Sequence, residues 1–266
     1  AAAAGAVAVV TDAAGEAIAR TAGIPVLVVD DPRAALGDMS ARVYATGADD
    51  DLPLLLGTTG TNGKTSVSHL LEGILSQIGA VTGLSSTAER HIAGQIIVSR
   101  LTTPEAYEMH ALLALMRERG VEAVAVEVSA QALSRRRVDG MMFDVAGFTN
   151  LSHDHLDDYA DMAEYFEAKL PLFRTDRSRR AVISLDSASG AGVVAACEVP
   201  CVTIGTPDIA DDRDAAADAD WVVEIIDEQQ IGTRFALAAR DGRRLETTVP
   251  VIGRHMAANA GLAIVM

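Results

Sequence analysis

The sequence lacks any long apolar run. None of its 266 residues belongs to a stretch that approaches the roughly 18 apolar residues a membrane helix needs. The apolar start, residues 1–10, carries no basic residue and is followed at once by Thr11 and Asp12. A secretory signal would begin with positive charge. We therefore expect neither a signal peptide nor a membrane segment, and we predict a cytoplasmic protein.

Cysteine is almost absent. Cys197 and Cys201 are the two cysteines, and the sequence has no second pair and no histidine close to them. A structural zinc site or a disulfide framework needs more cysteines than this. We interpret both as reduced interior thiols without a chemical role.

Positive charge is also scarce. The chain has 22 Lys and Arg against 37 Asp and Glu, a formal net charge of −15. A general nucleic-acid surface needs a basic patch to attract phosphates. We expect no nucleic-acid partner, and we expect any anionic substrate to be held by a few well-placed cations.

Two residue types are so rare that their positions are informative. Lys64 and Lys169 are the only lysines, and Asn62, Asn150 and Asn259 are the only asparagines. Lysine and arginine differ in shape and pKa. In a chain that otherwise uses arginine, a position occupied by lysine therefore indicates a site that needs an amine. All five residues fall in segments that other patterns select.

Strand and helix patterns divide the chain into two parts. Residues 6–52 read as strand, helix, strand and helix, with Asp31 capping the second helix and Pro32 in its first turn. After residue 52, apolar strands alternate with helical patterns, which is typical of a parallel sheet covered on both faces. We predict a small α/β domain over 1–52 and a P-loop-type, mostly parallel sheet flanked by helices over 53–266.

The last part of the chain shows a different pattern. The segments WVVEIID, TRFALAA and RRLETTVPV alternate with a period of two, and Asp241 and Gly242 separate the second from the third. This pattern predicts a short antiparallel meander. A helical pattern then begins near Gly253 and is still running at Met266, so we expect a fragment that lacks a C-terminal domain.

The segment LLLGTTGTNGKTS has the features of a phosphate-binding loop. A buried strand leads into a glycine-rich turn, and a helix with apolar residues at i, i+3, i+4 and i+7 follows. Backbone N–H groups and the helix N-terminus bind phosphate in such loops, and a lysine reaches the outer phosphates. The strict motif would begin with glycine where this chain has Thr58, so a glycine-rich turn without a ligand is the alternative. The predicted ATP contacts are Gly60, Thr61, Asn62, Gly63, Lys64, Thr65 and Ser66.

A carboxylate ends the second buried strand. Glu127 is the last residue of AVAVE, and open α/β sheets bind their ligands at the C-terminal ends of the strands. We predict that Glu127 and the Thr65 hydroxyl hold Mg²⁺. The alternative is that Glu127 caps the next helix.

Lys169 interrupts an apolar helical stripe. If residues 161–173 form one helix, Met162, Tyr165, Phe166, Leu170 and Phe173 share a face with this lysine. In one interpretation the stem is buried and the amine reaches water. In the other, burial lowers the pKa of the amine, and the neutral form reacts with CO₂ to give a carbamate that supports Mg²⁺.

The motifs together resemble one family. The form G-x-x-G-T-N-G-K-T is similar to the phosphate loop of the Mur ligases and of the related folylpolyglutamate synthetases. The segments TTPEAYE, AVEVSAQAL, FTNLSHDHLDDY and EYFEAKLPLF, in this order, resemble Mur ligases, and DDPRAALGDMSARVY resembles their first domain. The resemblance implies that 1–52 belongs to a partial N-terminal domain that binds a UDP-linked substrate, and that 53–266 is the central ATP-binding domain.

The resemblance also implies a reaction and its partners. It suggests an ATP- and Mg²⁺-dependent ligase that adds the third amino acid to UDP-N-acetylmuramoyl-L-alanyl-D-glutamate through an acyl phosphate, in peptidoglycan synthesis. We expect a monomer whose amino-acid pocket lies in the absent C-terminal domain. Two alternatives remain open, another ligase of the Mur and folylpolyglutamate type and a P-loop nucleotide switch without ligase activity.

The resemblance also assigns roles to further site residues. It assigns His155 and a carbamylated Lys169 to a second Mg²⁺, and Asn259 to the adenine. It assigns the muramoyl dipeptide to Thr102, Thr103, Ser129 and Arg137. The chain departs from the family pattern at Ala130, Gln131, His255 and Met256, which puts the neighbouring contacts in question.

Overall fold

The computed structural model describes residues 2–98, 102–153 and 158–266. Its strands are β1 (Val9–Thr11), β2 (Val26–Val28), β3 (Leu54–Thr59), β4 (Thr82–Ser85), β5 (Glu89–Ile92), β6 (Gln95–Val98), β7 (Ala123–Glu127), β8 (Val145–Phe148), β9 (Ala181–Ser184), β10 (Cys201–Gly205), β11 (Trp221–Gln229), β12 (Gly232–Ala239) and β13 (Arg244–Val249).

The α-helices are α1 (Glu16–Arg20), α2 (Pro32–Tyr44), α3 (Lys64–Gln77), α4 (Ala106–Glu118), α5 (Ala130–Ser134), α6 (Met162–Glu167), α7 (Gly190–Ala196), α8 (Arg213–Ala217) and α9 (Arg254–Val265), with 3₁₀ turns at Ala2–Ala4 and Leu170–Phe173. Among the described residues, no helix has both the length and the apolar character needed to cross a membrane.

The first 52 residues form the predicted small α/β unit. Strands β1 and β2 pair in parallel as a two-stranded sheet. Helix α2 begins where the sequence predicts, because the Asp31 carboxylate accepts hydrogen bonds from the backbone N–H groups of Arg33 and Ala34. The proposed domain boundary at residue 52 stays a prediction.

The main sheet has the predicted mostly parallel core. Within the described part of the chain its strand order is β13-β12-β11-β10-β9-β8-β3-β7-β4-β5-β6. Seven consecutive strands of this order run parallel to one another, namely β11, β10, β9, β8, β3, β7 and β4. Strand β11 also pairs with β12, and β12 with β13, in the predicted antiparallel meander. The antiparallel strands β5 and β6 at the other edge are an addition that the sequence patterns did not reveal.

Helices cover both faces of this sheet. On β3, Leu55 belongs to the apolar cluster that contains Val124 and Met109, whereas Leu56 belongs to the cluster on the other face with Val67 of α3. Successive strand residues point to opposite faces, so both must be apolar where both faces are buried. The continuous apolar run of β3 is explained in this way.

The single helix expected over residues 161–173 is wrong. Helix α6 ends at Glu167, and a separate 3₁₀ turn spans Leu170–Phe173. Pro171 has no N–H to donate to a carbonyl one turn back, and it disfavours the helical conformation in the residue before it. The stripe is nevertheless largely buried, because Tyr165, Lys169 and Phe173 are all within the core.

A buried histidine of α4 joins the N-terminal segment to the loop between α5 and β8. His110 of α4 is fully buried, with its Nε2 atom 2.9 Å from the Asp139 carbonyl oxygen and its Nδ1 atom 2.7 Å from Thr46 Oγ1. Since a carbonyl only accepts, Nε2 donates, and the neutral ring accepts from the Thr46 hydroxyl. Burial lowers the pKa of His110 from the ordinary value of 6.5, and the charge of Asp38 opposes this in part.

We expect His110 to make stability depend on pH. Below pH 6.5 the unfolded chain binds a proton at this residue more readily than the folded protein does. The contribution of the neutral His110 to the free energy of unfolding is therefore complete above pH 6.5. It is lost as the pH falls from there through the folded-state pKa, by at most about 1.4 kcal/mol per pH unit for one proton.

Urea unfolding of the native protein and of His110→Gln between pH 5 and pH 7.5 measures this effect. The difference between the two proteins should shrink as the pH falls, because glutamine does not titrate. His91, whose pKa Glu89 and Glu72 raise against the opposing effect of burial, is present in both proteins and cancels. If the free energies of unfolding of the two proteins change in parallel with pH, the pH dependence arises from other groups.

Candidate active site

The phosphate loop of the sequence connects β3 to α3, as predicted. Gly60 and Gly63 have φ values of +148° and +87°, in the region that favours glycine. A Cβ atom at Gly60 would lie 1.9 Å from Thr149 Oγ1, and one at Gly63 would lie 2.7 Å from Asn259 Oδ1. Only glycine fits at these two positions, so the turn is held close to the neighbouring segments.

Lys64 lies at the start of α3 with its amine over this loop. The Nζ atom donates hydrogen bonds to the Thr61 carbonyl oxygen at 2.8 Å and the Gly60 carbonyl oxygen at 3.2 Å. The side chain thus folds back toward the turn, where an ammonium group can contact phosphate oxygens bound by the loop. The Thr61 hydroxyl instead turns inward and donates to the Tyr165 hydroxyl at 3.3 Å.

Glu127 lies beside Thr65, as the sequence predicts. Its Oε2 atom accepts hydrogen bonds from Thr65 Oγ1 at 3.0 Å, from the Thr87 N–H at 2.9 Å and from Thr87 Oγ1 at 3.0 Å. The residue is only 2% exposed. The capping alternative is wrong, because Ser129 caps α5 and accepts from the Ala132 N–H.

Three of the four predicted substrate residues line a cavity of about 390 Å³ on one side of the loop. Thr102, Ser129 and Arg137 all face it, together with Lys64 and Glu127. Thr103 does not line this cavity, since its hydroxyl is buried and donates to the Glu127 carbonyl oxygen at 2.9 Å. Thr103 therefore supports the strand end that carries Glu127.

A second cavity, of about 520 Å³, lies on the other side of the loop. Asn62, Gly63, Ser66, Asn259 and His255 line part of it. Asp186 also faces this space, and burial raises the pKa of its carboxyl group, while the hydrogen bond from the Thr206 backbone N–H at 2.5 Å lowers it. Met256 packs against the apolar cluster that contains Ala257 and Val67.

Asn150 is a site residue that the sequence analysis did not assign. Its side chain accepts from the Asn62 N–H at 3.0 Å and donates to the Asn62 carbonyl oxygen at 3.1 Å, so it binds the phosphate loop from the end of β8. The scarcity of asparagine in the chain was the available signal. Thr87 had no such signal, because threonine is common and its contact with Glu127 spans 40 positions of sequence.

Lys169 is fully buried next to the phosphate loop. Its Nζ atom lies 3.4 Å from the Gly60 carbonyl oxygen and 3.7 Å from the centroid of the Tyr165 ring. The interpretation in which the amine reaches water is therefore wrong. His155, the other predicted ligand of the second Mg²⁺, lies outside the described residues, and the carbamate stays a prediction.

The residues present fit a nucleotide phosphate and a hard cation. The loop packs too tightly for any side chain at Gly60, and it is followed directly by the N-terminus of α3. The Thr65 hydroxyl and the Glu127 carboxylate supply the oxygen ligands that Mg²⁺ prefers, 3.0 Å apart. The catalytic and binding roles of these residues stay predictions.

Comparison with known proteins gives consistent matches. A family model described as the Mur ligase middle domain matches residues 58–266. A Leifsonia xyli protein named UDP-N-acetylmuramyl-tripeptide synthetase is 56% identical over 98% of this chain and 49% of its own length. A Streptomyces coelicolor protein named UDP-N-acetylmuramoyl-L-alanyl-D-glutamate–2,6-diaminopimelate ligase is 42% identical over 98% of this chain and 50% of its own.

A solved structure supports the same fold. The structure of a UDP-N-acetylmuramoyl-L-alanyl-D-glutamate–2,6-diaminopimelate ligase matches with a TM-score of 0.76 and 24% identity, over 90% of this chain and 48% of that one. The chain spans about half the length of the curated relatives it matches. With the family model covering most of the sequence and relatives this similar along nearly all of it, the chain belongs to the Mur ligase family.

Proposed function

We propose that this chain is the ATP-binding part of a ligase that adds the third amino acid to UDP-N-acetylmuramoyl-L-alanyl-D-glutamate. The observation that carries the proposal is the position of the phosphate loop between two cavities. The cavity with Asn259 and Asp186 suits the rest of a nucleotide, and the cavity with Ser129 and Arg137 suits an acidic acceptor. The names of both relatives support the muramoyl substrate.

The proposed reaction is phosphoryl transfer followed by acyl transfer. The acceptor carboxylate attacks the γ-phosphate of ATP, which forms an acyl phosphate and releases ADP. The amine of the incoming amino acid then attacks the acyl carbon, and the amide forms with loss of phosphate and a proton. The loop N–H groups and Lys64 bind the phosphates, and Arg137 orients the acidic acceptor with a planar, two-pronged grip. No side-chain nucleophile is needed.

Thr65 and Glu127 would hold Mg²⁺ in this reaction. When bound, the cation supplies positive charge that offsets the charge on the transferring phosphoryl group. Glu127 is suited to this role because it is nearly buried and its carboxylate is fixed by three hydrogen bonds. Thr87, whose backbone and side chain supply two of those bonds, orients the carboxylate.

We further propose that Lys169 carries a carbamate in the active protein. Complete burial disfavours the charged amine, whereas the Gly60 carbonyl and the Tyr165 ring favour it. In the neutral form the nitrogen attacks CO₂ and loses a proton, which leaves a carbamate. The carbamate N–H can still donate to the Gly60 carbonyl, and its oxygens add negative charge near the loop.

We expect phosphate release from ATP to require both the muramoyl dipeptide and the amino acid. In the full-length protein, phosphate release should be fast only when the muramoyl dipeptide and an amino acid are present together. The dipeptide is needed to form the acyl phosphate, and the amino acid is needed to break it down. A coupled phosphate assay with each component left out in turn measures this. Equal release without the dipeptide would support the nucleotide switch instead.

Lys64→Arg should reduce turnover by more than about tenfold, a barrier increase above roughly 1.4 kcal/mol. The guanidinium keeps the charge but is too broad for the space in which the amine contacts two loop carbonyls. Steady-state kinetics measures the loss, and an unchanged melting temperature excludes misfolding. Retention of more than about a tenth of the activity would show that Lys64 acts only through its charge.

Isotope-labelled bicarbonate should give a carbamate signal in the carbon NMR spectrum. The chain offers a matched pair of variants, since Lys64 and Lys169 are its only lysines. The signal should disappear in Lys169→Met and persist in Lys64→Met, and removal of CO₂ at fixed pH should lower activity reversibly. A signal that survives Lys169→Met, or activity indifferent to CO₂, would contradict the carbamate.

A further inference from the structure

Glu105, at the start of α4, divides its carboxylate between two arginines. Its Oε1 atom accepts from Arg137 Nε at 3.0 Å and lies 3.0 Å from Arg137 Nη2, while its Oε2 atom accepts from Arg33 Nη1 at 3.0 Å. Arg33 Nη1 also donates to the Arg135 carbonyl oxygen at 3.2 Å. One carboxylate therefore links α2 of the N-terminal segment to the wall of the cavity that contains Arg137.

The contacts of Arg137 fix the orientation of its guanidinium. One edge, formed by Nε and Nη2, faces a single oxygen of Glu105, and Nη1 donates to the Thr103 carbonyl oxygen at 3.3 Å. A guanidinium has five N–H donors in a rigid plane, so donors remain beyond these contacts. The side chain is only 12% exposed and lines the cavity beside Ser129 and Lys64.

Arg33 determines how Glu105 can use its second oxygen. A carboxylate and a guanidinium prefer to pair through two parallel hydrogen bonds, with both oxygens on one arginine. Here Arg33 occupies Oε2, which leaves Glu105 with one oxygen for Arg137. Without Arg33, the carboxylate is free to rotate into the paired geometry. That geometry uses the same Nε and Nη2 donors through both oxygens, and it changes the orientation of the guanidinium beside the cavity.

We propose that Arg33 is a positioning residue for Arg137, acting through Glu105 to hold the guanidinium in the orientation in which its remaining donors reach the acidic group of the acceptor. The inference rests on the proposed function for the identity of the acceptor. It assigns to the N-terminal segment a role in shaping the binding site of the central domain. The effect is one of orientation, because an ion pair as exposed as Arg33 with Glu105 contributes little stability itself.

Binding and kinetics with Arg33→Met in the full-length protein test the proposal. The KM and the calorimetric dissociation constant for UDP-N-acetylmuramoyl-L-alanyl-D-glutamate should rise roughly threefold to tenfold, the range of a weakened charged contact. The kcat and the KM for ATP should stay unchanged. In the Glu105→Gln background, Arg33→Met should add little, because residues that act through one another are not additive.

Asp31→Ser is the matched control. Asp31 pairs with Arg136 at 3.2 Å, so it also ties the start of α2 to the segment after α5 that Arg33 contacts. It contacts neither Glu105 nor Arg137. Serine keeps the helix cap while removing the ion pair. If Arg33→Met and Asp31→Ser weaken substrate binding equally, the role is general docking of α2 and the proposal is overturned.

A readout without substrate separates this proposal from the proposed function. The Nε–H resonance of Arg137, identified by its loss in Arg137→Lys, should change its shift and exchange rate in Arg33→Met and remain unchanged in Asp31→Ser. If the resonance responds in this way but neither the native protein nor the variants bind the muramoyl dipeptide, the proposed function fails and the link through Glu105 stands. A resonance unaffected by Arg33→Met, or full additivity with Glu105→Gln, overturns the link.

Discussion

The site depends on the pairing of β3 with β7 on one side and β8 on the other. Thr58 of β3 is paired with Glu127 of β7, and Thr59 with Phe148 of β8. Because these strands are parallel, their C-terminal ends meet at one edge of the sheet. The phosphate loop therefore emerges between the carboxylate of Glu127 and the side chains of Thr149 and Asn150.

The loop is held by neighbours that leave no room for side chains. At Gly60 the Thr149 hydroxyl occupies the position of a Cβ atom, and Asn150 satisfies the backbone N–H and carbonyl of Asn62. These two hydrogen bonds, which span 88 positions of sequence, tie the exposed Asn62 backbone to the segment after β8 and favour one loop conformation. A loop fixed in this way loses little conformational entropy when a ligand binds.

Charged side chains near the site are placed by contacts from distant parts of the chain. Thr65, Thr87 and Glu127 meet from three elements, and Arg137 is oriented by Glu105, which Arg33 contacts in turn. In a chain with a large negative net charge, acidic partners are available to fix most arginines. The cations that line the cavity beside Arg137 are thus few, and each is constrained.

The sequence by itself determined strands β3, β7, β8 and β9 of the parallel core, the phosphate loop and the cap at Asp31, because each follows from local periodicity, glycine placement or a side chain bonding to backbone a few residues away. It also selected Lys169 as a polar residue in an apolar stripe, although Pro171 divides the helix that the pattern predicted. Only the tertiary structure decided that Thr103 supports Glu127 and that Asn150 and Thr87 belong to the site. These roles depend on contacts across tens of residues, and the strand order that creates such contacts is not written in any local pattern.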